Sequence, residues 1–152
     1  MLKDQKDLLR AFNDHGVEYL VVGGHAVGFH SEPRGTKDLD VWIRSDEANA
    51  KAVFSALQDF GAPLSGISPS DFNEHPETVF QIGMPPARVD VLQDIPGIAF
   101  EEAWQHRVDR MADTDLTVHV ISKEDLIRNK EASGRFIDLA DVEKLKLSDE
   151  GQ

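Results

Sequence analysis

Three aspartates have the residue type and spacing that metal chemistry requires. Asp38 and Asp40 are separated by one residue in Asp-Leu-Asp-Val, a segment typical of a strand. Because side chains two positions apart on a strand point to the same face, we expect the two carboxylates to converge. Like charges this close repel unless a cation lies between them or one acid takes a proton, and oxygen ligands favour Mg²⁺ or Mn²⁺ over zinc. The alternative is that one acid faces solvent while the other caps a turn.

Asp90 is the third acid of this set. It lies in Arg-Val-Asp-Val-Leu, flanked by strand-forming apolar residues, where an unpaired charge would be costly to bury. An acid on a neighbouring strand can complete a two-metal cluster and accept the proton of an attacking hydroxyl. We therefore predict a divalent metal site formed by Asp38, Asp40 and Asp90.

The glycine pair Gly23-Gly24 ends a hydrophobic segment and opens a short helix. Backbone N–H groups at such a helix start can face a phosphate with no side chain in the way. The pair is not a dinucleotide fingerprint, because His25 stands where the second glycine is required. It is not a Walker phosphate loop either, because Phe29 and His30 replace the Lys and the Ser or Thr.

The residues from Gly23 to Val41 resemble the polymerase-beta-like nucleotidyltransferase superfamily. Its signature is a glycine pair, a spacer and an Asp-apolar-Asp-apolar run, and here 13 residues separate Gly24 from Asp38. The likeness extends to small bacterial members, namely minimal nucleotidyltransferases of toxin–antitoxin systems, AbiEii-type toxins, and aminoglycoside and lincosamide nucleotidyltransferases. In those groups an Arg-x-Thr precedes the acids, as Arg34 and Thr36 do here, and a later acid matches Asp90.

This resemblance implies a metal-dependent transfer of a nucleoside monophosphate from an NTP substrate to a hydroxyl acceptor. Asp38 and Asp40 would hold Mg²⁺ (or Mn²⁺) against the triphosphate, and Asp90 would help to bind a second ion and activate the acceptor. Many relatives carry Ser after the first glycine, whereas this chain has Gly24, so backbone groups alone would contact the phosphate there. The candidate nucleotide-binding residues are Gly23, Gly24, His25, Arg34, Thr36 and Lys130.

Each of these nucleotide contacts has a structural alternative. His25 is equally suited to packing against the sheet, and Thr36 to favouring the strand that follows it. Lys130, next to Glu131, is also typical of a solvated helix-surface cation.

Hydrophobic periodicity and turn residues predict the elements that must position these groups. The predicted fold is α/β (α+β), a small mixed β-sheet with helices on one face, of the nucleotidyltransferase type that the resemblance implies. The predicted organisation is one domain over residues 1–152, with a short helical tail at about 122–148. Helices are predicted at 4–15, 24–29, from 45 to Gly61, 100–106, after the capping residue Ser122, and at 137–147. Strands are predicted at 17–22, 39–43, 78–82, 88–92 and 116–121, with a hairpin across 83–86 and a loop at 62–76.

The amino-acid composition limits the kinds of site and binding partner that the chain can have. The 152 residues include no cysteine and carry a formal net charge of −12, which argues against disulfides, thiolate zinc sites and an extended nucleic-acid partner. No signal peptide or apolar run long enough for a membrane span is found, so we expect a cytoplasmic protein. A homodimer and a cognate protein partner of the toxin–antitoxin type stay open. So do two further functions, a weakly active antitoxin or interaction module and an enzyme that modifies a cationic antibiotic.

Overall fold

The computed structural model describes residues 1–31 and 38–150. Its helices are α1 (Lys3–Asp14), α2 (Gly23–His30), α3 (Glu47–Phe60), α4 (Phe100–Gln105), α5 (Lys123–Ser133) and α6 (Phe136–Glu150). Its strands are β1 (Tyr19–Val22), β2 (Leu39–Ile43), β3 (Phe80–Ile82), β4 (Val89–Leu92), β5 (Val108–Asp113) and β6 (Leu116–Val120). The predicted site residues Arg34 and Thr36 lie outside the described residues.

The six strands form one mixed sheet in the order β3-β4-β2-β1-β6-β5. β1 pairs antiparallel with β2 and parallel with β6, while β2 pairs parallel with β4. The outer pairs β3–β4 and β5–β6 are antiparallel. The predicted class, a small mixed sheet with helices packed on it, is confirmed.

The central strands are covered by helices because their side chains are apolar on both faces. All four residues of β1 are buried, as expected for a strand between two layers. Tyr19 contacts Phe12 of α1, with ring centroids 5.7 Å apart. On β2, Trp42 contacts Phe100 of α4 at 5.0 Å. Trp42 is in register with Leu20, the neighbour of Tyr19, so α1 and α4 contact opposite faces. The sheet therefore carries helices on both faces, not on one face as predicted, because its central strands are apolar on both sides.

Most predicted elements are found within two residues of their predicted bounds. The strand predicted at 39–43 has these bounds, and the hairpin across 83–86 joins β3 to β4. Ser122 caps α5 as predicted, because its hydroxyl accepts a hydrogen bond from the Asp125 N–H at 3.2 Å. The loop predicted at 62–76 contains a single 3₁₀ turn, Pro69–Phe72. Strand β5 was not predicted.

In the part of the chain that the structure describes, no helix has both the length and the apolar character needed to cross a membrane.

Candidate active site

The parallel pairing of β2 with β4 places two of the predicted acids side by side. Asp40 is in register with Asp90, and neighbouring strands lie roughly 4.8 Å apart. Asp38 immediately precedes β2, where the Leu39 N–H donates to the Arg88 carbonyl at 3.0 Å and fixes the entry of the strand. The structure therefore brings Asp38, Asp40 and Asp90 to one end of this strand pair.

Arg88, which was not among the predicted site residues, lies among these acids. Arg88 contacts Asp38 Oδ2 through Nη2 at 2.9 Å and Asp90 Oδ1 through Nε at 3.0 Å. The same Nη2 donates to Asp90 Oδ2 at 3.4 Å. The signal for this contact was present in the sequence, because Arg88 directly precedes β4 and lies two positions before Asp90, the spacing that places two side chains on the same face of an extended chain.

The carboxyl group of Asp40 has a raised pKa. Burial raises its pKa to about 6, and the negative charges of Asp90 and Asp38 act in the same direction. Arg88 and Lys130 oppose the shift. Three carboxylates lie beside the single guanidinium group of Arg88, so the cluster carries more acids than this cation neutralises, a condition that attracts an added cation.

The start of α2 approaches the cluster closely at Gly23. This residue has a φ of +66°, and a Cβ built on it would lie 2.3 Å from Asp40 Oδ2. Only glycine fits both the backbone angle and the space. Gly24 and His25 follow in the first turn of α2, where both are half-buried. The predicted glycine pair therefore adjoins the acids, although its binding of phosphate stays a prediction.

Lys130 lies in a different setting from the one predicted. Its ammonium group is buried between α5 and α6, 3.2 Å from Asp138 Oδ1 and 3.1 Å from Asp141 Oδ2. Asp138 also accepts hydrogen bonds from Arg135 Nε at 2.6 Å and from the Ser133 hydroxyl at 2.5 Å. These contacts brace the two tail helices. Lys130 still lowers the pKa of Asp40 through its charge, so a nucleotide role for it stays a prediction.

The donor set fits a hard divalent cation. Asp38 Oδ1 is buried and has no hydrogen-bond partner, and Asp90 Oδ1 contacts Arg88 outside hydrogen-bond geometry. Carboxylate oxygens of this kind are the ligands that Mg²⁺ prefers. Across residues 1–31 and 38–150, no three acidic, histidine or cysteine side chains already converge as ligands of one ion. The guanidinium group of Arg88 contacts both Asp38 and Asp90.

A family model described as a nucleotidyltransferase of unknown function (DUF6036) matches residues 1–151. No curated protein matches the chain.

Proposed function

The chain belongs to the family of nucleotidyltransferases of unknown function, and on that premise we propose that it transfers a nucleoside monophosphate from an NTP to an acceptor hydroxyl. The observation that carries this proposal is the register of Asp40 with Asp90 beside Asp38, at the point where Gly23 starts α2. This arrangement combines a carboxylate cluster with the exposed N–H groups of a helix start.

In the proposed reaction the acceptor oxygen attacks the α-phosphorus, and the bond to the leaving pyrophosphate breaks. Asp38, Asp40 and Asp90 would hold Mg²⁺, which when bound supplies positive charge against the phosphate oxygens. Asp90 would accept the proton of the acceptor hydroxyl. The backbone at Gly23 and Gly24 would face the phosphates.

Arg88 gives this site a specific electrostatic feature. A divalent ion and the guanidinium group would both be attracted to the carboxylates of Asp38 and Asp90. Arg88 would share these two carboxylates with the ion. Its positive charge would lie near the triphosphate, where an Arg can form paired hydrogen bonds with phosphate oxygens.

The proposal is tested by incubating the protein with each α-³²P-labelled NTP, Mg²⁺ and a cell lysate. We expect label on one class of acceptor, protein, RNA end or small molecule, and none when EDTA is added. Asp40→Asn and Asp90→Asn should abolish labelling, while Asp94→Asn, an exposed acid just beyond β4, should not. Labelling that survives Asp40→Asn would overturn the proposed roles.

A second candidate function has its own observation. Because Arg88 partly neutralises the acids in the absence of metal, the fold can persist as an interaction module with little activity, such as an antitoxin-type partner of a cognate protein. Calorimetric titration separates the two functions. Binding of Mg-NTP that is lost in Asp38→Asn supports the enzyme, whereas no heat at millimolar Mg-NTP supports the module.

A further inference from the structure

A pocket of about 680 Å³ lies between the end of α2, strand β5 and the start of α5. Five of the side chains that line this pocket are basic or become so on protonation, namely His30, His106, Arg110, Lys123 and Arg128. Two acids, Glu124 and Asp125, line it as well. The whole chain carries a formal net charge of −12, so a pocket with more basic than acidic side chains opposes the charge of the surface around it. The pocket therefore has the composition of an anion-binding site.

Asp125 is an acid that serves the pocket from below. Its side chain is only 3% exposed, and its Oδ2 accepts a hydrogen bond from His106 Nδ1 at 3.0 Å. Its Oδ1 lies 3.8 Å from Arg128 Nη1. A carboxylate accepts and does not donate, so the proton of this pair is on Nδ1 and the ring of His106 is held in place. Because Nδ1 is used, Nε2 is the ring nitrogen of His106 that is left for a molecule in the pocket.

Two cations from different elements act on the inner end of the pocket. Arg110 Nη1 donates to the carbonyl oxygen of Asp109 at 3.2 Å, and among the described residues it has no carboxylate within ion-pair distance. Lys123 Nζ donates to the Ser148 hydroxyl at 2.8 Å. Burial lowers the pKa of His30, and the charges of Arg110 and Lys123 act in the same direction. Positive charge from β5 and from α5 thus converges on the last residue of α2.

The pocket is separate from the acid cluster, although both lie at the same end of the sheet. Strands β1 and β6 are parallel, with Val21 in register with Val120, so both lead out of the sheet at that end. Helix α2 begins at Gly23 beside Asp40 and ends at His30, which lines the pocket. Its 8 residues span about 12 Å. A molecule in the pocket therefore leaves the acid cluster unoccupied.

We propose that this pocket binds the phosphate group of a small phosphorylated molecule. Guanidinium groups form paired hydrogen bonds with phosphate oxygens, and Arg110 and Arg128 reach the pocket from β5 and from α5. Arg128 Nη1 also contacts Glu102 at 2.7 Å, and the remaining N–H groups of this guanidinium supply further donors. Lys123 and the protonated Nε2 of His106 add two more.

The charge of the chain favours a small ligand over a nucleic-acid strand. A single phosphate group meets the basic side chains of the pocket alone. Each further phosphate along a strand would lie against a surface that carries an excess of acids, because the chain has 28 acidic and 16 basic residues. The preferred ligand therefore carries its negative charge on one group.

Titration of the full chain with inorganic phosphate tests the site in the absence of NTP and Mg²⁺, so its outcome is independent of nucleotide transfer. We expect saturable changes in the backbone NMR signals of His106, Arg110 and Lys123, with a dissociation constant in the millimolar range. Changes confined to Gly23 and Gly24 would place phosphate at the start of α2 and overturn the proposal. The absence of any change at about 20 mM phosphate would also overturn it.

Substitution of the two arginines tests which side chains hold the anion. Arg110→Gln/Arg128→Gln should weaken phosphate binding at least about tenfold, because both guanidinium groups are lost. Arg110→Gln alone should weaken it about threefold, and this variant gives the answer if the double variant does not fold, since Arg110 is exposed on β5.

A matched control removes the same two charges outside the pocket. In Arg107→Gln/Lys51→Gln the first residue normally lies 3.8 Å above the ring centroid of Trp104, and the second pairs with Glu47 on α3. This variant should bind phosphate as the wild type does. Equal weakening in the two double variants would reduce the effect to overall charge and overturn the site.

Two further ligands test the size of the molecule. Ribose 5-phosphate should bind at least as tightly as inorganic phosphate and should shift the same NMR signals. An RNA trinucleotide with a 5′-phosphate should bind no more tightly than ribose 5-phosphate, because its additional phosphates face the acidic surface. A trinucleotide that binds about tenfold more tightly would overturn the small-molecule assignment in favour of a nucleic-acid strand.

Discussion

Gly23 lacks a side chain for two separable reasons, its left-handed backbone angle and its contact with Asp40. Gly16 is a matched control, because its φ of +67° is nearly the same but a Cβ there would meet nothing within 4 Å. We expect Gly16→Ala to lower the free energy of unfolding by about 1 kcal/mol and Gly23→Ala to lower it by roughly 2–3 kcal/mol, because the second also displaces a carboxylate. Urea denaturation measures both values. Equal losses would show that Asp40 moves aside at no cost.

Arg88 holds the metal-free cluster together, so its removal should make stability depend on Mg²⁺. In Arg88→Gln the three carboxylates repel with no guanidinium between them, and we expect a loss of about 1–2 kcal/mol, or roughly 3–6 °C, in EDTA. Mg²⁺ at millimolar concentration should restore most of this loss, while the wild type gains less. Thermal melts with and without Mg²⁺ measure the difference, with Arg110→Gln on β5 as the control. A melting temperature of Arg88→Gln that is unaffected by Mg²⁺ would contradict a metal site here.

The sequence was sufficient to predict which side chains lie together where they are close neighbours along the chain. Asp38 directly precedes β2 and Asp40 lies in it, so the period of two was enough to place them together. The partners of Arg88 and Lys130 depended on chain pairing that no local pattern encodes. Arg88 meets Asp38 only because β4 pairs in parallel with β2, and Lys130 meets Asp138 only because α6 folds back on α5.

Strands were likewise predictable from the sequence only where their own residues carry the pattern. Strand β2 was predicted because Leu39 to Ile43 are dominated by apolar and β-branched residues. Strand β5 was missed because its residues Asp109, Arg110 and Met111 are exposed and show no apolar alternation. Its backbone pairing with β6 makes it a strand, and such edge strands are determined by their neighbours rather than by their own side chains.

The contacts of Asp138 with Lys130, Ser133 and Arg135, which we call the α5–α6 brace, predict how the stability of the protein changes in acid. Burial of Asp138 raises the pKa of its carboxyl, but hydrogen bonds from Arg135, Ser133 and Lys130 outweigh burial and lower the pKa to about 2. The folded pKa is below the ordinary value of 3.8, so the brace stabilises the protein fully above pH 4. This contribution, about 2 kcal/mol, is lost as the pH falls from 4 towards 2.

Asp138→Asn isolates this effect. At pH 7 the variant should unfold about 2 kcal/mol more easily than the wild type, and the difference should shrink as the pH falls below 4. Chemical denaturation at a series of pH values measures the difference. Asp109→Asn is the control, because Asp109 is exposed on β5 and pairs with His119. A constant difference from pH 7 to pH 2 would mean that the ionised carboxylate is not the stabilising group.

At the scale of the whole molecule, helix α6 links the tail to the acid cluster. It carries Asp138 and Asp141, which bind Lys130, and the charge of Lys130 in turn lowers the pKa of Asp40. The two tail helices therefore contribute to the electrostatics of the candidate site.

The net charge of −12 predicts opposite salt responses for the two kinds of acceptor. A cationic small molecule such as an aminoglycoside is attracted to the acidic surface, so its KM should rise several-fold as salt increases from about 50 to about 300 mM, because the attraction is screened. An RNA end is repelled by the same surface, so its KM should stay level or fall over that range. The KM of the NTP, measured in the same buffers, supplies the baseline against which either acceptor is compared. A KM for RNA that rises steeply with salt would require a basic surface, and would contradict our expectation, drawn from the net charge, that the chain has no extended nucleic-acid partner.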